Sequence, residues 1–276
     1  MLSGLLGGAR LLASTGRVQT PMASLVPTDA GLGVPGRPQS ATGQAALLTG
    51  LNAPQLVGGH YGPRPHAPLR ELLRQTIFSR ALALGFRVTL VNAYPQAHLD
   101  AVASGRRVLG AIPFAAQAAG IPLRTADDLV AGRALSPDIT NVGWHNIGYP
   151  NMPVRSPAEA GAILARLSAD YDLTFFDDWF TDVAGHEADC RSAVETIEAR
   201  DAFLGGLLNG LDLCRTLVVV TSDHGNLEDC THRNHTEHLV PTLLIGAAHR
   251  RWADRITRLT DIAEVVLEAL AAEPEG

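Results

Sequence analysis

The run Thr216-Leu-Val-Val-Val-Thr221 has no polar position between its two threonines. A strand with that pattern has no face to show to water, so it must be covered on both sides. That requirement rules out an open sheet with one wet face. Three more β-rich runs join it, at 87–93, 171–176 and 241–245. Helical patterns fill the intervals. Residues 69–84 carry apolar positions at helical spacing until Gly85 stops them. Ser156-Pro-Ala-Glu159 is a capping box with proline at the first helical position. Further helices read from about 190 to 208 and from 260 to 271. Strands alternating with helices predict an α/β fold, a three-layer sandwich with a mostly parallel sheet and helices on both faces. The length of 276 residues suits one domain spanning 1–276. Residues 53–68 and 132–155 read as loops, the second with room for a small lid.

Apolar residues make up 46% of the chain but aromatic residues only 5%, so Ala, Leu and Val must fill the core. No apolar run approaches the ~18 residues that span a bilayer. The 22 basic residues are all arginine, which reads as codon bias. Against 28 acidic residues they give a net charge of −6, which disfavours nucleic acid as a partner. The three cysteines, Cys190, Cys214 and Cys230, have no CxxC spacing and argue for a reducing, cytoplasmic setting. Met1 to Ala13 reads as an amphipathic helix or as a weak targeting peptide interrupted by Gly7 and Gly8.

The densest polar feature is Thr221-Ser-Asp-His-Gly-Asn226, directly after the buried strand. Alone it could be a polar turn. Two other segments repeat its chemistry. Asp182-Val-Ala-Gly-His186 follows the second strand, and its Asp and His are spaced to share one face of a helical turn. His235-Thr-Glu-His-Leu-Val-Pro241 precedes the last strand. Carboxylate and imidazole without thiolate suit Zn²⁺ or Mn²⁺. Asp182, His186, Asp223, His224 and His235 exceed one tetrahedral site and suggest two cations, about 3.5–4 Å apart. Ser40, in Pro38-Gln-Ser-Ala-Thr-Gly43, stands where a loop enters a helix. It is either an N-cap or a nucleophile at the positive end of a helix. His60, Tyr61, Arg64 and His66 are either anion contacts or a solvated basic loop.

Together these motifs resemble the alkaline phosphatase superfamily, and most closely its cofactor-independent phosphoglycerate mutase and phosphopentomutase branch. Asp223-His-Gly-Asn226 is similar to that branch's Asp-His-Gly-Asn, His235-Thr through Val240-Pro241 to its His-Thr-x-Asn-x-Val-Pro, and Asp182 through His186 to its Asp-x-Val-Gly-His. The resemblance implies that Asp182, His186 and His235 hold one metal, and that Asp223, His224 and Ser40 contact the other. It implies a phosphoserine intermediate on Ser40 and a small phosphate ester as substrate.

The chain departs from the family in three places. His238 stands where the family has Asn. A large cap domain is missing. The family's first strand, which ends in an Asp that completes the second site, is not legible; Asp29 lies in the approach to Ser40 and not after a recognisable strand. The expectation is that such a strand precedes Met1. The leading function is metal-dependent phosphoryl transfer, as a phosphohydrolase or a phosphomutase. The alternatives are a catalytically impaired metal-binding homologue, or sulfatase or phosphonate chemistry on the same scaffold.

Overall fold

The computed structural model describes residues 1–272. Its strands are β1 (Val18–Gln19), β2 (Ala23–Thr28), β3 (Val88–Leu90), β4 (Leu173–Phe175), β5 (Leu217–Val220) and β6 (Val240–Gly246). The main sheet has the order β1-β2-β6-β5, and every neighbouring pair in it is antiparallel. Only β3 and β4 pair in parallel, as a separate two-stranded sheet.

The expected mostly parallel sheet is therefore corrected to a mostly antiparallel one. The connections explain the difference. A parallel return needs a crossover of a dozen or more residues, usually a helix. No helix lies between β5 and β6; the chain turns back through the loop 221–239 and pairs alongside. β6 in turn pairs with β2 over six residues, from Ala23 opposite Ile245 to Thr28 opposite Val240.

β2 corrects a second expectation. All of it is buried except half-buried Pro27, and it runs directly into Asp29. A buried strand followed by an aspartate thus lies within the chain, at 23–29. Pro27 hid it, because proline inside an apolar run argues against a central strand. In the sheet Pro27 faces Pro241, so the two residues without an N–H occupy the same register position. Residues 1–13 hold a single α-helical turn, Leu2–Leu5, and reach a 3-10 turn, Ala13–Thr15, only at their end.

The helices do cover both faces. Val26, Leu244, Leu217 and Val219 point to one side, against helices Ser40–Thr49, Ile77–Ala83, Ala111–Ala118 and Thr260–Ala271. Leu25, Leu243, Ile245 and Val218 point to the other, against Pro157–Ser168 and Cys190–Asn209. The small sheet shares both cores, with Leu90 in the first and Val91, just past β3, in the second. This alternation of inward side chains is the period of two that a strand imposes.

Two segments differ locally from their sequence patterns. The helical stretch 69–84 is broken, into Ala67–Leu72 and Ile77–Ala83, because Thr76 and Ser79 form a capping box that starts a new helix. The segment 132–155 is not a loose lid. Trp144, Met152 and Ala134 pack with Leu129 and Ala93 into a third small core. The Asp138 carboxylate accepts from the Asn141 and Gly143 N–H groups at 2.9 and 2.7 Å, and the Trp144 indole donates to Ser136.

Candidate metal centre

β2 and β5 both run antiparallel to β6, so they point the same way. Their C-terminal ends and the start of β6 meet at one end of the sheet. Asp29 follows β2, Asp223 and His224 follow β5, and His235 lies in the approach to β6. Hydroxyls of Thr28, Thr242 and Thr221 hydrogen-bond across the three strands at 2.7 Å each and tie these ends together. Beyond β4 the helix Phe180–Glu187 supplies Asp182 and His186.

The donors converge. Asp182 Oδ1 lies 3.3 Å from His186 Nε2, 3.3 Å from His235 Nε2 and 3.9 Å from His224 Nε2. One ligand atom each from Asp182, His186 and His235 falls within 4.8 Å of the others. The rings of His224 and His235 stack with centroids 3.7 Å apart. Ser40, the first residue of its helix, places Oγ 3.0 Å from His224 Nε2.

The outer face of each imidazole fixes its tautomer. His186 Nδ1 lies 2.7 Å from the Arg233 carbonyl, His235 Nδ1 2.8 Å from the Pro38 carbonyl and His224 Nδ1 3.3 Å from the Gly225 carbonyl. A carbonyl only accepts, so each Nδ1 donates; in the neutral rings each Nε2 keeps an inward lone pair, and without a cation a proton on His235 Nε2 takes its place and is donated to Asp182. Metal-binding histidines are oriented in this way by backbone carbonyls. The Nε2 atoms of His186 and His235 are 3.3 Å apart, so two lone pairs and a carboxylate share a space that calls for a cation.

The electrostatics agree. Burial alone would raise Asp182. Hydrogen bonds from His235 and Asn226, with the charges of His224 and His186, instead pull its pKa down to about 2. Burial opposes charge on His235 too, yet Asp182 and the Pro38 carbonyl raise its pKa. Asp223 lies slightly apart. Its Oδ1 is 3.8 Å from His224 Nε2, while its Oδ2 is buried with no hydrogen-bond partner. Nearby, Asp177 is half-buried as a residue, but its carboxyl group is shut away from water. Desolvation, then the charges of Asp223 and Asp178, push its pKa up to about 8. A buried carboxylate oxygen without a partner, beside an aspartate held protonated, is a place short of positive charge.

The surroundings contain contacts that sequence reasoning did not assign: Asn226 entered only as the end of its motif, and Glu228 not at all. Asn226 Nδ2 donates to Asp182 Oδ1 at 2.7 Å and to the Asp182 carbonyl at 3.2 Å. It reaches there across Gly185, where an added Cβ would stand 2.5 Å from the Asn226 amide carbon. Glu228 latches the ends of the 221–239 loop. It accepts from the Asn226 N–H at 2.7 Å and from the Thr236 hydroxyl, and it faces His238 Nδ1 at 3.2 Å. His238 therefore turns to Glu228, away from the inward Nε2 atoms.

Other candidates are engaged elsewhere. Asp29 accepts from the Gly31 and Leu32 N–H groups at 2.8 and 3.1 Å and so braces its own turn. His66 caps the helix Ala67–Leu72 and stacks on Tyr61, His60 meets the Val34 carbonyl, and Arg64 donates to the Val108 carbonyl. These contacts shape the loop beside the Ser40 helix. Among the described residues no helix is long and apolar enough to cross a membrane.

A family model described as the metalloenzyme superfamily matches residues 151–274, the part that contains every one of these Asp and His donors. The 2,3-bisphosphoglycerate-independent phosphoglycerate mutase of Moorella thermoacetica is 31% identical over 127 residues, 44% of this chain and 24% of its own length. That of Roseobacter denitrificans is 30% identical over 146 residues, 50% of this chain and 27% of its own. A solved structure, the PH0037 protein from Pyrococcus horikoshii, aligns with a TM-score of 0.47 and 22% identity, over 71% of this chain and 52% of that one. The match to the curated mutases spans about a quarter of their length. Residues 151–274, somewhat under half of the chain, match the metalloenzyme superfamily, and this part of the chain is distantly similar to the cofactor-independent phosphoglycerate mutases.

Proposed function

We propose that the chain is a metal-dependent phosphoryl-transfer enzyme, a single domain over 1–276 that acts on a small phosphate ester with Ser40 as nucleophile. One observation carries this reading. Three imidazoles, each with Nδ1 on a backbone carbonyl, turn their Nε2 atoms toward Asp182, and the Ser40 hydroxyl sits 3.0 Å from one of them.

The donor set fits divalent cations of the Zn²⁺ or Mn²⁺ class. Asp182, His186 and His235 would hold one. Asp223, whose Oδ2 has no partner, would hold a second with His224 and Ser40. When bound, such ions acidify a coordinated hydroxyl and neutralise charge on a transferring phosphoryl group. The chain's own residues supply the rest. Ser40 opens a ten-residue helix, whose N-terminal dipole favours negative charge at Oγ. Without a cation His224 Nε2 holds the Ser40 hydroxyl at 3.0 Å; with one, the same lone pair would go to the ion and both side chains would face it. Attack by Oγ on phosphorus releases the alcohol and leaves phosphoserine at Ser40. The phosphoryl group then passes to water in a hydrolase, or to a second hydroxyl in a mutase.

Metal-loaded protein should hydrolyse a generic aryl phosphate. Ser40→Ala should lower turnover by about 10³-fold or more while the metal content stays unchanged. Full activity in that variant would overturn Ser40 as nucleophile. No turnover of any phosphate ester by metal-replete wild type would favour the catalytically impaired homologue. A sulfate ester preferred over its phosphate counterpart would favour sulfatase chemistry.

A further inference from the structure

We infer that Arg200 is a positioning residue of the metal centre, whose guanidinium fork on Asp178 aims the helix that carries Asp182 and His186. The inference rests on the metal centre and not on the chemistry proposed for Ser40.

The helix Phe180–Glu187 has little apolar anchorage. Only Ala184 and Gly185 in it are buried, and among the described residues none of this helix enters the three apolar cores. Trp179, just before it, and Val183, within it, are exposed. At its end Ala188 takes a left-handed conformation, with φ +55°, and Asp189 then caps the next helix, Cys190–Asn209. The chain therefore turns back through two residues, and the two helices form a hairpin. The second helix is firmly seated, with Phe203, Leu204, Leu207 and Leu208 in the second core.

Arg200 joins the weakly seated helix to the firmly seated one. Its Nε donates to Asp178 Oδ2 at 2.7 Å and its Nη2 to Asp178 Oδ1 at 2.8 Å, with both side chains only 19% exposed. A planar fork on a carboxylate fixes direction as well as distance. Asp178 passes that direction on. Its Oδ1 accepts at 3.0 Å from the N–H of Phe180, the first residue of the metal-binding helix. The junction before that helix is held from another side. There the Asn92 amide donates to the Asp177 carbonyl at 2.6 Å and accepts from the Asp177 N–H at 2.8 Å. Asp182 follows Asp178 by four residues, and His186 follows by four more, so a tilt at the start of the helix displaces both donors. The ties that these donors make themselves, to Asn226 and to the Arg233 carbonyl, end on the 221–239 loop. Ser192 donates to Glu187 at 2.8 Å beside the turn of the hairpin, whereas Arg200 acts at its far end.

The test titrates the metal-free full chain with Zn²⁺ or Mn²⁺ by calorimetry, at a temperature where circular dichroism shows each variant folded. Arg200→Met keeps an unbranched stem but not the fork. It should weaken binding about 10–100-fold, the usual effect of removing a residue that orients a metal ligand. Arg200→Lys should fall between this variant and wild type. Asp178→Asn should weaken binding too, and the double variant should be no worse than the weaker single one, because both residues act through one pair. Arg80→Met is the control. It breaks another two-point pair, Arg80 on Glu264 at 2.6 and 3.1 Å, between the helices Ile77–Ala83 and Thr260–Ala271, which carry no metal donor. It should lower stability and leave cation affinity unchanged. Wild-type affinity in Arg200→Met overturns the inference, and so does an equal loss in Arg80→Met. If Arg200→Met does not fold, wild-type affinity in Arg200→Lys overturns it. A wild type that binds neither cation overturns the metal centre itself, and the inference with it.

Discussion

The Asn226 amide makes two hydrogen bonds to one residue, to the carboxylate and the carbonyl of Asp182. The first holds Oδ1 where His186 and His235 face it. The second ties the loop after β5 to the backbone of the Asp182 helix. Residues that orient a metal-binding carboxylate typically cost 10–100-fold in affinity when removed. Asn226→Ala should therefore weaken Zn²⁺ or Mn²⁺ binding by roughly that factor in a calorimetric titration. Unchanged affinity would show that Asp182 holds its position without the amide. Asn226 was legible only as the last residue of the Asp-His-Gly-Asn motif, without a role, and Glu228 was not legible at all. An amide and a carboxylate in a polar loop are common, and nothing local separates a latch from a solvated side chain. The aspartates and histidines were legible because three strand ends repeat the same pair of residue types.

The Ser40 helix and the loop after β5 pack backbone to backbone. A Cβ built on Gly43 would collide with the Asp223 carbonyl, which is backbone and cannot swing aside. Gly43→Ala should push the helix and the loop apart, at a cost of about 1–3 kcal/mol, read as a lower urea midpoint. Turnover should fall with it, because Ser40 is one turn away on the same helix. A variant as stable as the parent would mean that the helix slides freely. The sequence revealed four of the strands, β3 to β6, through their apolar runs, and it missed β2 because of Pro27. It did not reveal strand direction. The pattern of Leu217–Val220 is the same for a parallel or an antiparallel neighbour; only the helix-free path from β5 to β6 decides. It also overestimated the length of the 69–84 helix, because apolar spacing continues through a break set by a hydroxyl cap.

For the whole molecule, the titrating groups set a window of stability in metal-free protein. Asp182, depressed to about 2, stabilises the fold above the ordinary carboxylate value of 3.8 and loses that contribution as pH falls toward 2. The loss is on the order of 2 kcal/mol. His235 is raised, so its contribution is complete below the ordinary imidazole value of 6.5 and disappears as pH climbs through the folded value. Asp177, raised to about 8, acts in the same direction: protonated and content at low pH, it destabilises the fold progressively as pH rises toward 8. Chelator-treated protein should be most resistant to urea near pH 4, weaker below it, and progressively weaker as pH rises from 4 toward 8. A maximum near pH 8 would contradict the assignments of His235 and Asp177. The donors also span a long stretch of chain. His235 follows His186 by 49 residues, and the carbonyl that orients it belongs to Pro38, 197 residues earlier. An unfolded chain cannot assemble such a cluster, so a cation that occupies it selects the native state by mass action. Each tenfold excess of free cation over its dissociation constant would add about 1.4 kcal/mol. The folded population would then rise and fall with the cation supply, and scarcity of metal would remove the protein itself as well as its activity.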